Sequence, residues 1–283
     1  MKTFKDRVAV VTGGASGLGR AMAWRFAQEG MKVVLADIEQ TALDRTEAEF
    51  RDAGFTAIGV RCDVAKGAEV EALAEKTLRD FGAVHVVCNN AGVAPNGVLW
   101  EHTEKDWEWA MGVNVWGVIH GVRVFTPILL RQGDEGHIVN TASVAGLLSL
   151  PGMGMYCLTK HAVVTLSESL YHDLVGHSDK VRCSVLCPAY VPTRIHDSER
   201  NRPALLRDRE KPRSEEDIAR DEQLRHAVQS GKISAEQVAD MVFDAIRDKR
   251  FYILPHQKIK PAIETRLQDI LLERSPTNTL PKR

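Results

Sequence analysis

The chain has 283 residues, 44% hydrophobic and 27% charged, and its 37 Lys and Arg against 38 Asp and Glu give a formal net charge of -1. That length and balance suit a soluble globular protein with a large core and exclude the basic footprint of a nucleic-acid binder. They leave small-molecule partners open.

The opening residues MKTFKDR run directly into VAVVTG, leaving no room for a secretory h-region, so a cytoplasmic protein is expected. Residues 8–11 form the first predicted strand. It ends in Thr12-Gly13-Gly14-Ala15-Ser16-Gly17-Leu18-Gly19, followed at once by a helical pattern over 18–29. Small residues between a strand and a helix let the backbone approach a pyrophosphate, and the helix N-terminus supplies N–H groups and a positive dipole end. No Gly-Lys-[Ser/Thr] follows, which excludes a P-loop. The second strand, 32–36, is followed by Asp37, near the spacing at which an acid accepts hydrogen bonds from the adenosine ribose. Its charge would repel a 2′-phosphate, and neither Ser16 nor Ile38 offers a compensating cation. NAD(H) is therefore expected over NADP(H), with Arg20 and Lys32 the two cations considered able to reach the area.

Helical patterns over 39–52, 68–80, 115–131 and 155–175 then alternate with strands at 56–60, 84–88, 137–140, 182–187 and 251–254. Thr103 and Ser234 stand where N-caps belong, with Asp106 and Gln237 three residues on. The alternation implies parallel strands with right-handed crossovers and helices on both faces. The uncharged run 136–159 contains Asn140, Ser143, Ser149, Pro151 and several glycines, which argues against a membrane span. The stretch 195–230 is dense in both signs of charge. It reads as a solvated surface, a mobile lid over a substrate pocket, or both. The tail 275–283 reads as poorly ordered.

Tyr156 and Lys160, four apart on a predicted helix, share one face, and no other tyrosine has a lysine four residues on. Ser143 closes the fifth strand, where open α/β sheets place ligands. With the glycine turn, these residues make the chain resemble the short-chain dehydrogenase/reductase family, from Val8 to about Leu254. The resemblance implies one Rossmann-like α/β domain over 1–283: a doubly wound parallel sheet of about seven strands in the order 3-2-1-4-5-6-7. It implies a catalytic set of Asn114, Ser143, Tyr156 and Lys160. Asp63-Val64 is expected at the adenine. Asn89-Asn90-Ala91-Gly92 is expected to brace the sheet and border the cofactor. Pro188-Ala189-Tyr190-Val191-Pro192-Thr193 matches a segment that holds the nicotinamide carboxamide through the Val191 backbone and the Thr193 hydroxyl, with hydride expected on the pro-S side; alanine at 189 replaces the usual glycine. Tyr156 and Lys160 are also expected at the cofactor, Ser143 at the substrate oxygen, and Asn114 in a water-linked proton path to Lys160. Homodimers or homotetramers through the 115–131 and 155–175 helices are implied too, with Trp116 a candidate anchor.

Alcohol oxidation needs a base, and a free tyrosine titrates near ~10. The Lys160 ammonium and an oxidised nicotinamide are expected to lower that value, a shift of roughly three units being worth ~4 kcal/mol. The uncharged segment after Ser143, with Met153 and Met155, and Leu205, Leu206, Ile218 and Leu224 in the charged stretch, points to a bulky apolar secondary alcohol. The stretches 117–121 and 251–255 are similar to those of dehydrogenases of aromatic or steroid-like alcohols. An NAD-retaining lyase or epimerase and a nucleotide-sensing binding protein remain open. The ten histidines form no metal-like set, and the five cysteines are expected to be reduced and mostly buried.

Overall fold

β1 (Val8–Thr12) is buried at every position, as a strand must be when helices cover both faces of its sheet. The computed structural model describes residues 1–207 and 214–279. It adds β2 (Lys32–Asp37), β3 (Ala57–Arg61), β4 (Val86–Asn89), β5 (Gly136–Thr141), β6 (Val181–Leu186) and β7 (Tyr252–Ile253), all parallel, in the order β3-β2-β1-β4-β5-β6-β7. The expected strand order is therefore the observed one. The last strand is shorter than expected, pairing only Tyr252 and Ile253 with Val185 and Leu186.

One face of the sheet is covered by α1 (Gly17–Gln28), α2 (Gln40–Asp52) and α8 (Ala235–Asp248), the helix after α7 (Glu215–Gln229); together α1, α2 and α8 bury Met22, Phe26, Phe50, Val242 and Ile246. The other is covered by α3 (Gly67–Phe81), α5 (Gly117–Gln132) and α6 (Gly154–His177), with Leu73, Phe125, Leu129 and Leu174 at its core. Both expected N-caps form: Thr103 opens α4 (Glu104–Met111) and Ser234 opens α8, each in a reciprocal capping box. All five cysteines are buried and unpaired.

The expected helix 115–131 starts earlier and is not uniform. Between α4 and α5 the chain makes a π-helical turn, Gly112–Trp116, with the Gly117 N–H reaching back to the Gly112 carbonyl. Asn114 lies within this turn and is fully buried. Gly117 and Gly121, one turn apart, then pack against Val64 and Asn89, where a Cβ at either would collide with a side chain. The run 104–132 is long and apolar enough to cross a membrane by length and composition. Its Val118, Phe125 and Leu129 are nevertheless buried in the protein's own core.

The strand ends opposite the switch point hold two histidines that must stay neutral. His85 Nδ1 accepts the Val8 N–H at 3.1 Å. His137 is 2.7 Å from the Ser184 hydroxyl, which itself donates to the Arg250 carbonyl, so the imidazole donates to serine. Burial pushes the His85 pKa down to about 4 and that of His137 to about 3, from 6.5. An unfolded chain therefore takes up these protons at higher pH than the folded one does. Their contribution to stability is complete above pH 6.5 and is lost as pH falls toward 4 and 3, by about a few kcal/mol per group. Melting temperature measured against pH should fall steeply below 6.5, and His137→Gln should flatten that limb. An unchanged acid limb in the variant would exclude His137 as its source.

Candidate active site

The sheet order reverses at β1 and β4, and the crevice there is where an open α/β sheet takes its ligand. Gly13 and Gly17 adopt positive φ of 64° and 53°, which glycine tolerates at no steric cost. At Gly19 a Cβ would coincide with the Gly13 carbonyl. Ser16, the N-cap of α1, makes no side-chain capping bond, and no acid occupies the first turn. These N–H groups suit an anion. Gly13, Ser16, Gly17 and Leu18 line one cleft with Asp37, Ile38, Asp63, Val64, Asn90, Ala91 and Gly92. Gly19 does not line it; its contribution is the close packing of the turn.

The Asp37 carboxylate accepts N–H groups of Ala15 and Glu39, each at 3.1 Å. Burial still pushes its pKa up against those bonds. Its remaining lone pairs suit ribose hydroxyls, so the donors and acceptors along this end fit a dinucleotide. The two cations singled out from sequence do not line the cleft. Arg20 is held by Glu49 at 2.8 Å, and Lys32 lies 5.7 Å from the Phe81 ring centre. Two arginines do, Arg194 and Arg200. The charge density of 195–230 hinted at Arg200 alone, since Arg194 lies one residue outside that stretch.

Asn90 ties three strand ends together. Its amide donates to the Thr12 carbonyl at 3.0 Å and accepts from Thr141 Oγ1 at 3.2 Å, while its own N–H and that of Ala91 bond Thr12 Oγ1. Asn89 bridges to Asn140, and Asn140 to Ser167. The bracing expected of this segment is therefore carried by side-chain amides in a sheet core, where leaving one unpaired would cost about 1–3 kcal/mol. After β6, Pro188, Val191 and Thr193 also line the cleft. Thr193 packs against Gly17, and the Ala189 N–H is held by His256 Nδ1 at 3.0 Å. His256 is a support that sequence reading missed.

Tyr156 and Lys160 occupy the first turns of α6, facing Ser143 at the end of β5. All three line the same cleft. Ser143 stands near enough to the Tyr156 phenol to act on its pKa, and its hydroxyl donates to the Pro188 carbonyl at 3.2 Å. Lys160 Nζ donates to the Thr141 carbonyl at 3.0 Å and lies 5.6 Å from the centre of the Tyr156 ring. Burial pushes the tyrosine up to about 12, with Ser143 acting the other way, and pushes the lysine down to about 8. The expected lowering of the tyrosine pKa is thus absent in the protein alone. The lysine is itself desolvated, and burial of the phenol dominates.

Asn114 is fully buried and does not line the cleft. Its amide accepts from the Val93 N–H at 2.8 Å and donates to the Val93 carbonyl at 2.9 Å and to Thr159 Oγ1 at 3.1 Å. Its Oδ1 and Lys160 Nζ both lie within 3.5 Å of the point a Gly92 Cβ would take. It therefore sits behind the lysine and fixes the strand-end loop.

The far wall is apolar: Val93, Trp109, Val144, Leu148, Met153 and Val228 line it. The segment 195–230 supplies part of the cover through Ile195, Ser198 and Leu224, while residues 208–213 of the expected lid lie outside the described residues. Met155 is instead fully buried, and Leu205 and Ile218 are exposed; none of them reaches the cleft. Of the tail, Thr277 bonds back to Asp269 at 2.9 Å, and 280–283 lie outside the described residues.

The family model described as short chain dehydrogenase matches residues 7–204. A crystal structure of a short chain dehydrogenase/reductase from Burkholderia phymatum in complex with NAD is 54% identical, covers all of both chains and superposes with a TM-score of 0.97. The CLA biosynthesis dehydrogenase/reductase of Lactiplantibacillus plantarum is 36% identical over 98% of this chain and 97% of its own. The 1-deoxy-11-beta-hydroxypentalenate dehydrogenase of Streptomyces exfoliatus is 34% identical over 94% of this chain and 89% of its own.

Proposed function

The chain belongs to the short chain dehydrogenase family, and on that premise we propose that it is an NAD(H)-dependent oxidoreductase interconverting a bulky apolar secondary alcohol and its ketone. One observation carries the reading. The Tyr156 phenol, Ser143 hydroxyl and Lys160 ammonium meet in a cleft that runs from the glycine turn to an apolar wall. When bound, NAD supplies the hydride acceptor, and NADH the donor.

Ser143 holds and orients the substrate oxygen, and Tyr156 exchanges the proton of that oxygen. With a pKa near 12, the phenol is protonated at neutral pH and suited to protonating a ketone. It serves as a base only where added positive charge offsets its burial. Lys160 brings one charge close and is placed to hold ribose hydroxyls. Asn114 keeps the loop around Val93 in register behind it.

Asp37 supports NAD over NADP, as does the relative determined with NAD. The apolar far wall disfavours sugar phosphates, whose charge would go unpaired there. The exposed groove between α5 and α6, lined by Ile119, Val122, Ala162, Leu166 and Leu170, supports association of two copies through these helices. Trp116, half exposed and stacked on His120, is a candidate anchor on the same helical run.

Initial rates with NAD and a panel of secondary alcohols, from small aliphatic to aromatic and steroidal, test the substrate class. Turnover should be confined to the bulky apolar members. Turnover only of small charged alcohols would refute that part of the reading.

A further inference from the structure

The adenosine end of the cleft holds an arginine that Asp37 alone does not account for. Arg200 lines the cleft beside Asp37, Ile38, Glu39 and Asn201, and a guanidinium is the side chain best shaped to grip a phosphate through paired bonds. Left free, it would offset the repulsion by which Asp37 excludes a 2′-phosphate. In the structure it is engaged elsewhere. Its Nε donates to Glu39 Oε1 at 2.8 Å and its Nη2 forms an ion pair with the same oxygen at 2.7 Å, while its Nη1 bonds the carbonyls of Arg194 and Asp197 at 3.1 and 2.8 Å and lies 3.8 Å from the Asp197 carboxylate. Asn201 donates to the same Glu39 oxygen at 2.8 Å.

We propose that Glu39 is a second cofactor-selectivity residue, acting by holding Arg200 away from the place a 2′-phosphate would take. The proposal rests on the NAD reading above. Glu39 sits two positions beyond Asp37, and its own N–H donates to the Asp37 carboxylate at 3.1 Å, so the two acids share one turn. Burial works against ionisation of Glu39, yet the bonds from Asn201 and Arg200 outweigh it and hold the carboxyl below its ordinary range. The acid is therefore charged wherever the protein is folded near neutral pH. With side-chain exposures of 21% and 27%, the Arg200–Glu39 pair is shielded more than an ordinary surface ion pair. The other arginine of the cleft, Arg194, is paired with Asp197 at 2.7 Å. Selection would thus have two components: Asp37 repels the phosphate, and Glu39 occupies the cation that would otherwise welcome it.

The test is equilibrium binding of NADH and NADPH to the full chain, by calorimetry or nucleotide fluorescence, in the unmodified protein, Glu39→Ala, Arg200→Ala and the double variant. Glu39→Ala should bind NADPH at least tenfold more tightly than the unmodified protein. Adding Arg200→Ala should erase that gain, and Arg200→Ala alone should produce none. No gain in Glu39→Ala overturns the proposal. A gain that survives the loss of Arg200 also overturns it, because removing a negative charge would then suffice. If Glu39→Ala does not fold, Glu39→Gln, which keeps an acceptor but not the charge, should show a smaller gain with the same dependence on Arg200. An unmodified protein that binds neither nucleotide would instead bring down the NAD reading and this proposal with it, so the two failures are separable.

Discussion

Tyr156→Phe should lower kcat by about 10²–10⁴-fold, the range expected for loss of a positioned general acid–base, while NADH binding changes by no more than a few fold. The variant keeps the ring and removes only the hydroxyl, so the apolar packing around the start of α6 is preserved. What is lost is the group that Ser143 contacts and that faces the apolar pocket. The neighbourhood offers no ready substitute: the Ser143 hydroxyl already donates to Pro188, and Cys187 is buried with its thiol pushed up to about 12. Steady-state rates with an NADH titration check the prediction. Near-normal kcat in a folded variant would mean that another group or water moves the proton. A parallel drop in NADH affinity would instead mean that the phenol serves mainly to bind the nucleotide.

Lys160→Met should cost about 10²-fold or more in kcat/KM, with little or no loss of stability at pH 7. The second half of that expectation follows from linkage. Burial lowers the lysine from 10.5 to about 8, whereas the unfolded chain keeps its proton up to 10.5. Between these values the unfolded state binds more protons, so this residue's contribution makes the fold more stable as pH rises through the window. Below pH 8 the full penalty remains, roughly 3 kcal/mol. Methionine removes that penalty and keeps the unbranched stem. It also leaves the Thr141 carbonyl, now bonded at 3.0 Å, without its donor, at about 1–3 kcal/mol. The two effects nearly cancel. A residue held only for structure would give the opposite pattern, with stability lost and activity following it. Denaturant melts at pH 7 and pH 9.5 beside the kinetics separate the cases.

Most of the architecture was legible because its signals are local. Buried parallel strands leave continuous apolar runs, amphipathic helices leave a 3.6-residue period, and the caps at Thr103 and Ser234 are visible as residue types at fixed spacing. The cofactor turn was legible for the same reason, since the strand, the glycines and Asp37 follow one another along the chain. The features missed are those set by tertiary contact. A π-turn at 112–116 inserts one residue into a helix without changing its composition, so the sequence does not show that the Asn114 amide bonds Val93 and Thr159. Met155, Leu205 and Ile218 were assigned to the pocket by apolar character alone, which does not say which way a side chain faces. Arg200 reaches Glu39 across 161 positions of sequence, a distance at which no pattern gives warning. The lowering of the Tyr156 pKa is expected with an oxidised nicotinamide bound; in the protein alone its burial dominates, and burial cannot be read from sequence.

Net hydride exchange between an alcohol and NAD in this cleft, with Tyr156 moving the proton, is open to a decisive test. A single-turnover experiment tests it most directly: enzyme in excess over NAD, an apolar secondary alcohol added, and nicotinamide absorbance followed beside Tyr156→Phe. NADH should appear stoichiometrically in the unmodified protein and almost not at all on the same timescale in the variant. Bound NAD that stays oxidised while the alcohol is converted to another product, or NADH formation equally fast in Tyr156→Phe, would contradict it.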